Sequence, residues 1–408
     1  MRATAVSAGQ ATFASLRHRN FRLFFIGQSI SNSGNWLTNV AMTLFVLKLA
    51  GTGVGVGFLT ACQFGPMLFL SAWGGAVADR SDKRRMLLVT QSLEMGQSIA
   101  LAALAFMPAP PLWGLYALAL FGGVLLSLDN PLRRSFVSEM VPHEDLPNAV
   151  VLYSTLVNLS RIFGPSLAGV LVVTTGYGWC FTIDALSYVA VIASLIMMRP
   201  AELYRHGAVE GRSGGVVEGL RYARSVPVLR VSFAMLAAIT MLAYNFTVTL
   251  PLFVTRGLGA GEGTFTVIYS VLSFGSVVSA LLFAARRRVT MRDVLLGAAG
   301  FGFALLLLAG SPGVRTAAAA AFIVGAMSLL YMTANSTVVQ LEARPDMRGR
   351  MLALQTVLLG ASALFGGPLL GWIADTTGGR TLIVIGGLTS LLAAAIGALH
   401  ARAIRASM

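Results

Sequence analysis

Residues 49–78 read LAGTGVGVGFLTACQFGPMLFLSAWGGAVA, thirty positions without a charge, before the chain turns polar in Asp79-Arg80-Ser81-Asp82-Lys83-Arg84-Arg85. About 20 apolar residues cross a hydrocarbon core roughly 30 Å thick as a helix, so this stretch spans a membrane and ends in charges at headgroup level. Charge-free windows recur at 23–47, 231–255, 263–285, 294–314, 316–341, 351–374 and 381–401. Between 86 and 198 the runs are interrupted by Glu94, Asp129, Glu139, Arg161 and Asp184. There the turn signals at Pro108, Pro110 and Pro111, at Pro142 to Pro147, and at Gly176 and Gly178 divide them. The expected spans are 21–47, 53–78, 86–106, 112–132, 148–173, 179–198, 230–254, 264–284, 294–310, 316–338, 350–372 and 381–400. The fold class is therefore an all-α integral membrane protein with 12 transmembrane helices.

Composition excludes the alternatives. Of the 408 residues 56% are hydrophobic and 11% charged, where a soluble domain carries about 25% charged residues. Abundant aliphatic residues exclude disorder, and glycines without a three-residue period exclude collagen. The net charge of +14 would suggest nucleic acid in a soluble chain. Here the basic residues lie in short stretches between apolar runs, which points to anionic membrane lipids and no nucleic acid. Lys48 and Lys83 are the only lysines, an arginine bias that fits a GC-rich bacterial genome. The first twenty residues are polar, include Arg17 and Arg19, and lead straight into an apolar run, so no cleavable signal is expected.

Twelve spans place both termini on one side. The segments facing that side hold 25 basic residues, against Arg256, Arg315 and Arg380 opposite. The positive-inside rule makes that side the cytoplasm, in a bacterial cytoplasmic (inner) membrane.

The chain also resembles itself. At an offset of 203, Glu139 falls on Glu342, Pro142 on Pro345, Gly164-Pro165 on Gly367-Pro368 and Gly176 on Gly379. The domains expected are an N-terminal six-helix bundle (1–198), a cytoplasmic linker (199–229) and a C-terminal six-helix bundle (230–408). These are pseudo-symmetric about an axis along the membrane normal, facing a central cleft.

The segment Gly75-x-x-x-Asp79-Arg80-x-Asp82-Lys83-Arg84-Arg85 is similar to the signature loop of the major facilitator superfamily (MFS), with Asp82 in place of its second glycine. Arg19-Asn20-Phe21-Arg22, Gly34-Asn35-Trp36, Asp129-Asn130-Pro131, Asn148-Ala149, Gly164-Pro165 and Arg348-Gly349-Arg350 resemble the branch of enterobactin exporters and multidrug efflux proteins. The resemblance covers essentially the whole chain. It implies an MFS fold that works by alternating access, with Gly75, Asp79, Arg80, Lys83, Arg84, Arg348 and Arg350 as the gating motif. In it, Asp79 would latch near the start of the eleventh span.

Several residues are candidates for the mechanism. Gln28, Asn32, Asn35 and Asn39 share one face of the first span. Amides do not face lipid cheaply, so they line a substrate cavity or bond between helices. Trp36 beside them offers a stacking surface. Ser154, Asn158 and Arg161 repeat the pattern on the fifth span, where a mid-span arginine costs at least about 2.5–3.5 kcal/mol unless paired or hydrated. Asn245, Tyr331, Asn335 and Gln355 would complete the cavity from the second half.

Asp129, with Arg161 as its expected partner, is the first candidate for proton coupling. Its other reading is a helix-end residue among headgroups. Glu94 and Asp184 fall on spans that the resemblance makes peripheral, where structural pairing or hydration is expected, although Glu94 is also a coupling candidate.

No phosphate-binding Gly-x-x-x-x-Gly-Lys loop, ligand-spaced histidines or nucleophile–base set occurs, and Cys62 and Cys180 are too few for a metal cluster. No cofactor, metal or enzymatic activity is expected. The reading is a monomeric, proton-coupled exporter of small amphiphilic organic molecules such as a drug, siderophore or secondary metabolite. An uptake permease or facilitator and a non-transporting receptor or scaffold are the alternatives.

Overall fold

The computed structural model describes residues 13–204, 216–284 and 289–406, with the side chains at 71, 72, 76, 79, 80, 158, 161, 162, 216, 217, 284 and 402–406 outside that description. Among the described residues every regular element is helical. In chain order they are α1 (Arg19–Ala50), α2 (Gly53–Phe64), α3 (Pro66–Arg80), α4 (Lys83–Ala105), α5 (Leu112–Val137), α6 (Leu146–Thr174) and α7 (Tyr177–Met197). There follow α8 (Val216–Ser225), α9 (Pro227–Leu242), α10 (Phe246–Leu252), α11 (Glu262–Ala284), α12 (Met291–Ala309), α13 (Val314–Glu342), α14 (Arg348–Ala361), α15 (Gly367–Thr377) and α16 (Gly379–Ala406).

Ten helical stretches among the described residues are long and apolar enough to cross a membrane. The two further expected spans fall on α1 and α6, helices of 32 and 29 residues. The amides at 28, 32, 35 and 39 dilute the apolar content of α1. On α6 the described apolar stretches are Leu146–Val157 and Phe163–Thr174, on either side of the side chains outside the description. Large apolar side chains such as Phe69, Trp113, Leu281 and Leu282 lie exposed, an exterior suited to lipid rather than water.

Local chemistry sets the boundaries. The Asp82 carboxylate accepts the Arg85 amide at 3.0 Å and caps α4, which gives this departure from the signature loop a structural use. Arg84 donates to the last carbonyls of α7, Leu195 and Ile196, at 2.7 and 3.2 Å. The fourth span was expected to end at 132. Instead α5 runs through Pro131 to Val137, a tolerance typical of membrane helices. The seventh span breaks between α9 and α10. There the Asn245 amide donates to the Thr240 and Met241 carbonyls at 3.0 Å each, satisfying groups freed by the break. A π-helical turn at Ser362–Gly366 separates α14 from α15.

The chain divides into two compact units. One contains residues 1–41 and 70–211, the other 42–69 and 212–408. The first is packed around Phe21, Phe24, Leu132, Phe136 and Leu195. In the second, Val56, Val248, Leu252 and Leu370 form a smaller cluster.

Two turns share a backbone conformation. Gly176, before α7, has φ +86°, and Gly378, before α16, has φ +94°, values that favour glycine. The ungapped offset aligned Gly176 with Gly379. The backbone pairs it with Gly378, because the second copy is one residue shorter between its Gly-Pro and the turn.

Candidate functional site

Helix α5 carries Asp129 and Arg133 one turn apart on the same face, 0% and 4% exposed. They form an ion pair inside the first unit. The Arg133 guanidinium also donates to Gln28 Oε1 and Asn32 Oδ1 on α1, at 3.0 Å each, and to Glu94 Oε2 on α4 at 3.3 Å. Asp129 further accepts the Thr90 hydroxyl at 2.9 Å and the Gln91 amide at 2.8 Å. Gln91 reaches Glu94 as well, at 3.0 Å. One guanidinium thus lies between two buried carboxyl groups, with two amides of α1 completing its shell.

A second polar group lies close by. Asp184 Oδ2 on α7 accepts the Thr38 and Ser98 hydroxyls at 2.7 Å each. Tyr188, one turn on, donates to Asn35 Oδ1 at 3.0 Å. Gly34 makes this approach possible, because a β-carbon there would collide with Asp184 and Ser187.

Arg133 was not anticipated. The expected span ended at 132 and left Arg133 in a cytoplasmic stretch, and its count toward the positive-inside balance goes with that placement. Its four-residue spacing from Asp129 was the available signal. Asp129 therefore pairs with Arg133. The side chains of Arg161 and Asn158, as of Asp79 and Arg80, lie outside the described residues.

Of the other expected residues, Gln28 and Asn32 meet the guanidinium and Asn35 meets Tyr188. Asn39 donates to the Asn35 carbonyl of its own helix at 3.0 Å. Trp36 packs against Gly164. Ser154 is exposed and bonds the Val150 carbonyl at 2.8 Å. In the second unit Asn245 also donates to the Ser362 hydroxyl at 3.1 Å, and Gln355 accepts from Ser336 at 3.3 Å. Tyr331 and Asn335, one turn apart on α13, are fully buried, and their side-chain polar atoms have no hydrogen-bond partner among the described residues.

The described residues of the gating motif bond locally. Lys83 pairs with Glu139, Arg348 donates to the Ala343 carbonyl at 3.4 Å, and Arg350 pairs with Glu218 on α8 at 2.7 Å. Gly75 lies in α3, with open space where its β-carbon would be.

A further ionic tie, not anticipated, lies in the second unit. Asp375 Oδ1 accepts the Gly53 amide at 2.6 Å and Oδ2 the Val54 amide at 2.9 Å, both at the N-terminus of α2. Arg256 pairs with the same carboxylate at 2.6 Å and donates to the Gly51 carbonyl at 2.9 Å. Beneath it, Gly53 and Gly57 of α2 interlock with Gly367 and Gly371 of α15. A β-carbon on Gly57 would strike the Gly367 carbonyl, and one on Gly371 the Gly53 carbonyl. Small residues four apart let two membrane helices touch backbone to backbone.

Comparison with known proteins follows this geometry. A family model described as "Transmembrane secretion effector" matches residues 10–406. The Staphyloferrin A transporter of Staphylococcus aureus is 30% identical over 176 residues, which are 43% of this chain and 44% of that protein. The Enterobactin exporter EntS of Salmonella paratyphi A is 22% identical over 387 residues, 92% of each chain. Among solved structures, a POT family transporter in complex with 5-aminolevulinic acid superposes with a TM-score of 0.75 at 12% identity, covering 93% of this chain and 95% of the other. At that identity the likeness is one of fold.

Proposed function

The chain belongs to the major facilitator superfamily, in the family of transmembrane secretion effectors, and from that premise we propose that it exports small amphiphilic organic molecules in exchange for entering protons. Membership makes it a multi-pass membrane transporter and not an enzyme. Our reading has twelve spans in two six-helix halves, 1–198 and 230–408, joined by 199–229, with both termini cytoplasmic. The relatives that export organic molecules support the direction and the substrate class.

The buried Arg133–Asp129–Glu94 cluster carries the coupling. With both acids ionised the group would hold a net negative charge out of contact with water, at high cost. Asp129 takes the ion pair, the Thr90 hydroxyl and the Gln91 amide, so its charge is compensated. Glu94 is therefore where a proton resides. Once that proton leaves, the Glu94 carboxylate competes with Asp129, Gln28 and Asn32 for one guanidinium, and the balance of forces among α1, α4 and α5 changes. Each entering proton supplies about 2.3 kcal/mol per 100 mV.

The test is uptake of a panel of toxic organic compounds into energised inverted vesicles. Accumulation abolished by a protonophore and by Glu94→Gln is the expected outcome. Equilibration insensitive to the protonophore indicates a facilitator, and absence of any flux indicates a scaffold; either result overturns the proposal.

A further inference from the structure

Three helices of the first unit close around Asp184, which is 1% exposed. Its Oδ2 accepts Thr38 from α1 and Ser98 from α4. Its Oδ1 lies 3.4 Å from Ser187 Oγ. Among the described residues no lysine or arginine pairs with it. The titratable groups facing it are Glu94 on α4 and Tyr188 on its own helix, with the Arg133–Asp129 pair of α5 beyond Glu94. The hydroxyl groups around it are neutral and cannot offset a carboxylate charge.

Charge counting points the same way. Among the described residues the Arg133 guanidinium is taken up by Asp129 and Glu94, and no cation contacts Asp184. A carboxylate charge there would lie buried without a counter-charge, which is costly, and a bound proton removes that cost.

We propose that Asp184, held among the Thr38, Ser98 and Ser187 hydroxyls, is a second proton-binding site of the transport cycle, so that this unit exchanges two protons rather than one. The inference rests on the coupling role given to Glu94. Glu94 and Ser98 are one turn apart on α4, and Tyr188 and Asp184 are one turn apart on α7, so the two acids belong to one polar column inside the helix bundle. A second proton doubles the driving force available per cycle.

Infrared difference spectra between acid and alkaline pH, recorded on the full-length chain in phosphatidylethanolamine–phosphatidylglycerol bilayers, test this without a known substrate. The wild type is expected to show two carboxylic-acid C=O components that vanish at alkaline pH, with Glu94→Gln deleting one and Asp184→Asn the other. Asp184→Asn spectra that keep both components overturn the second site while leaving the Glu94 reading in place. Loss of a component in Asp184→Asn but none in Glu94→Gln overturns the coupling reading instead. If Asp184→Asn does not fold, Thr38→Val and Ser98→Ala retain the carboxyl and remove its donors. Each should shift one component to higher wavenumber, and an unmoved spectrum refutes the proposal.

Discussion

The two units of this chain bury different things. The interior of the first holds Arg133, three acids and a shell of amides and hydroxyls drawn from α1, α4, α5 and α7. The second closes around broken helices, where Asn245 and Ser362 occupy carbonyls freed at the breaks, and around helices that meet through glycine, with its ion pair half-buried at the helix ends near Gly53. Matched turns at Gly176 and Gly378 occur one in each unit. Ionic chemistry is concentrated in the first unit and helix breaks in the second. On our proposal the first unit is the one that responds to protons.

Removing the guanidinium is the harshest test of that division. Arg133→Ala leaves Asp129 and Glu94 without a counter-charge, and breaking a buried pair in this way costs about 3–5 kcal/mol. We expect flux to vanish and thermal stability in detergent to fall sharply. Arg133→Met combined with Asp129→Leu and Glu94→Gln should recover much of the stability with no recovery of flux. Parallel recovery of both would erase the distinction between the units.

In the second unit the corresponding assault is steric. Gly57→Leu drives a side chain into the Gly367 carbonyl and should reduce transport at least tenfold. The control Gly96→Ala, on α4 of the first unit, where a β-carbon meets open space, should leave transport unchanged. Vesicle flux on both variants decides it. A milder effect is expected from Asp375→Asn, which keeps an acceptor for the α2 amides but loses the charge facing Arg256. Transport should change several-fold while protein yield, read by membrane immunoblot, stays constant.

The smallest effect lies at the surface. Hydrogen bonds from His18 and Arg17 hold the Asp145 carboxyl below the usual carboxylate range. A depressed value means the contribution to stability is present at neutral pH, begins to fade below about pH 4, and is lost as pH falls through the folded-state value. Melting curves of Asp145→Asn and wild type should differ slightly at pH 7 and converge in acid.

Much of the frame was legible in the sequence because charges are expensive in lipid. Lys48, Asp79 and Arg256 lie at the limits of apolar runs for that reason, and the runs became helices. Asp129 was recognisable as an acid in need of a partner. Its partner was not, because the expected span ended at 132 while the helix continues to Val137. Glu94 and Asp184 looked peripheral one at a time; their importance comes from three helices converging, which linear spacing does not encode. The tie at Asp375 was invisible for a related reason: it joins residues 51–54, 256 and 375, far apart in the chain and unremarkable individually.

The α2–α15 contact has a kinetic consequence. Carbonyls and α-carbons lie against each other with no side chains between them, so separation requires no rotamer to be unlocked and re-closure requires none to be found again. A joint of this kind has no rotamer to reset at the glycines themselves, and the Arg256–Asp375 pair is the polar contact that closes its end.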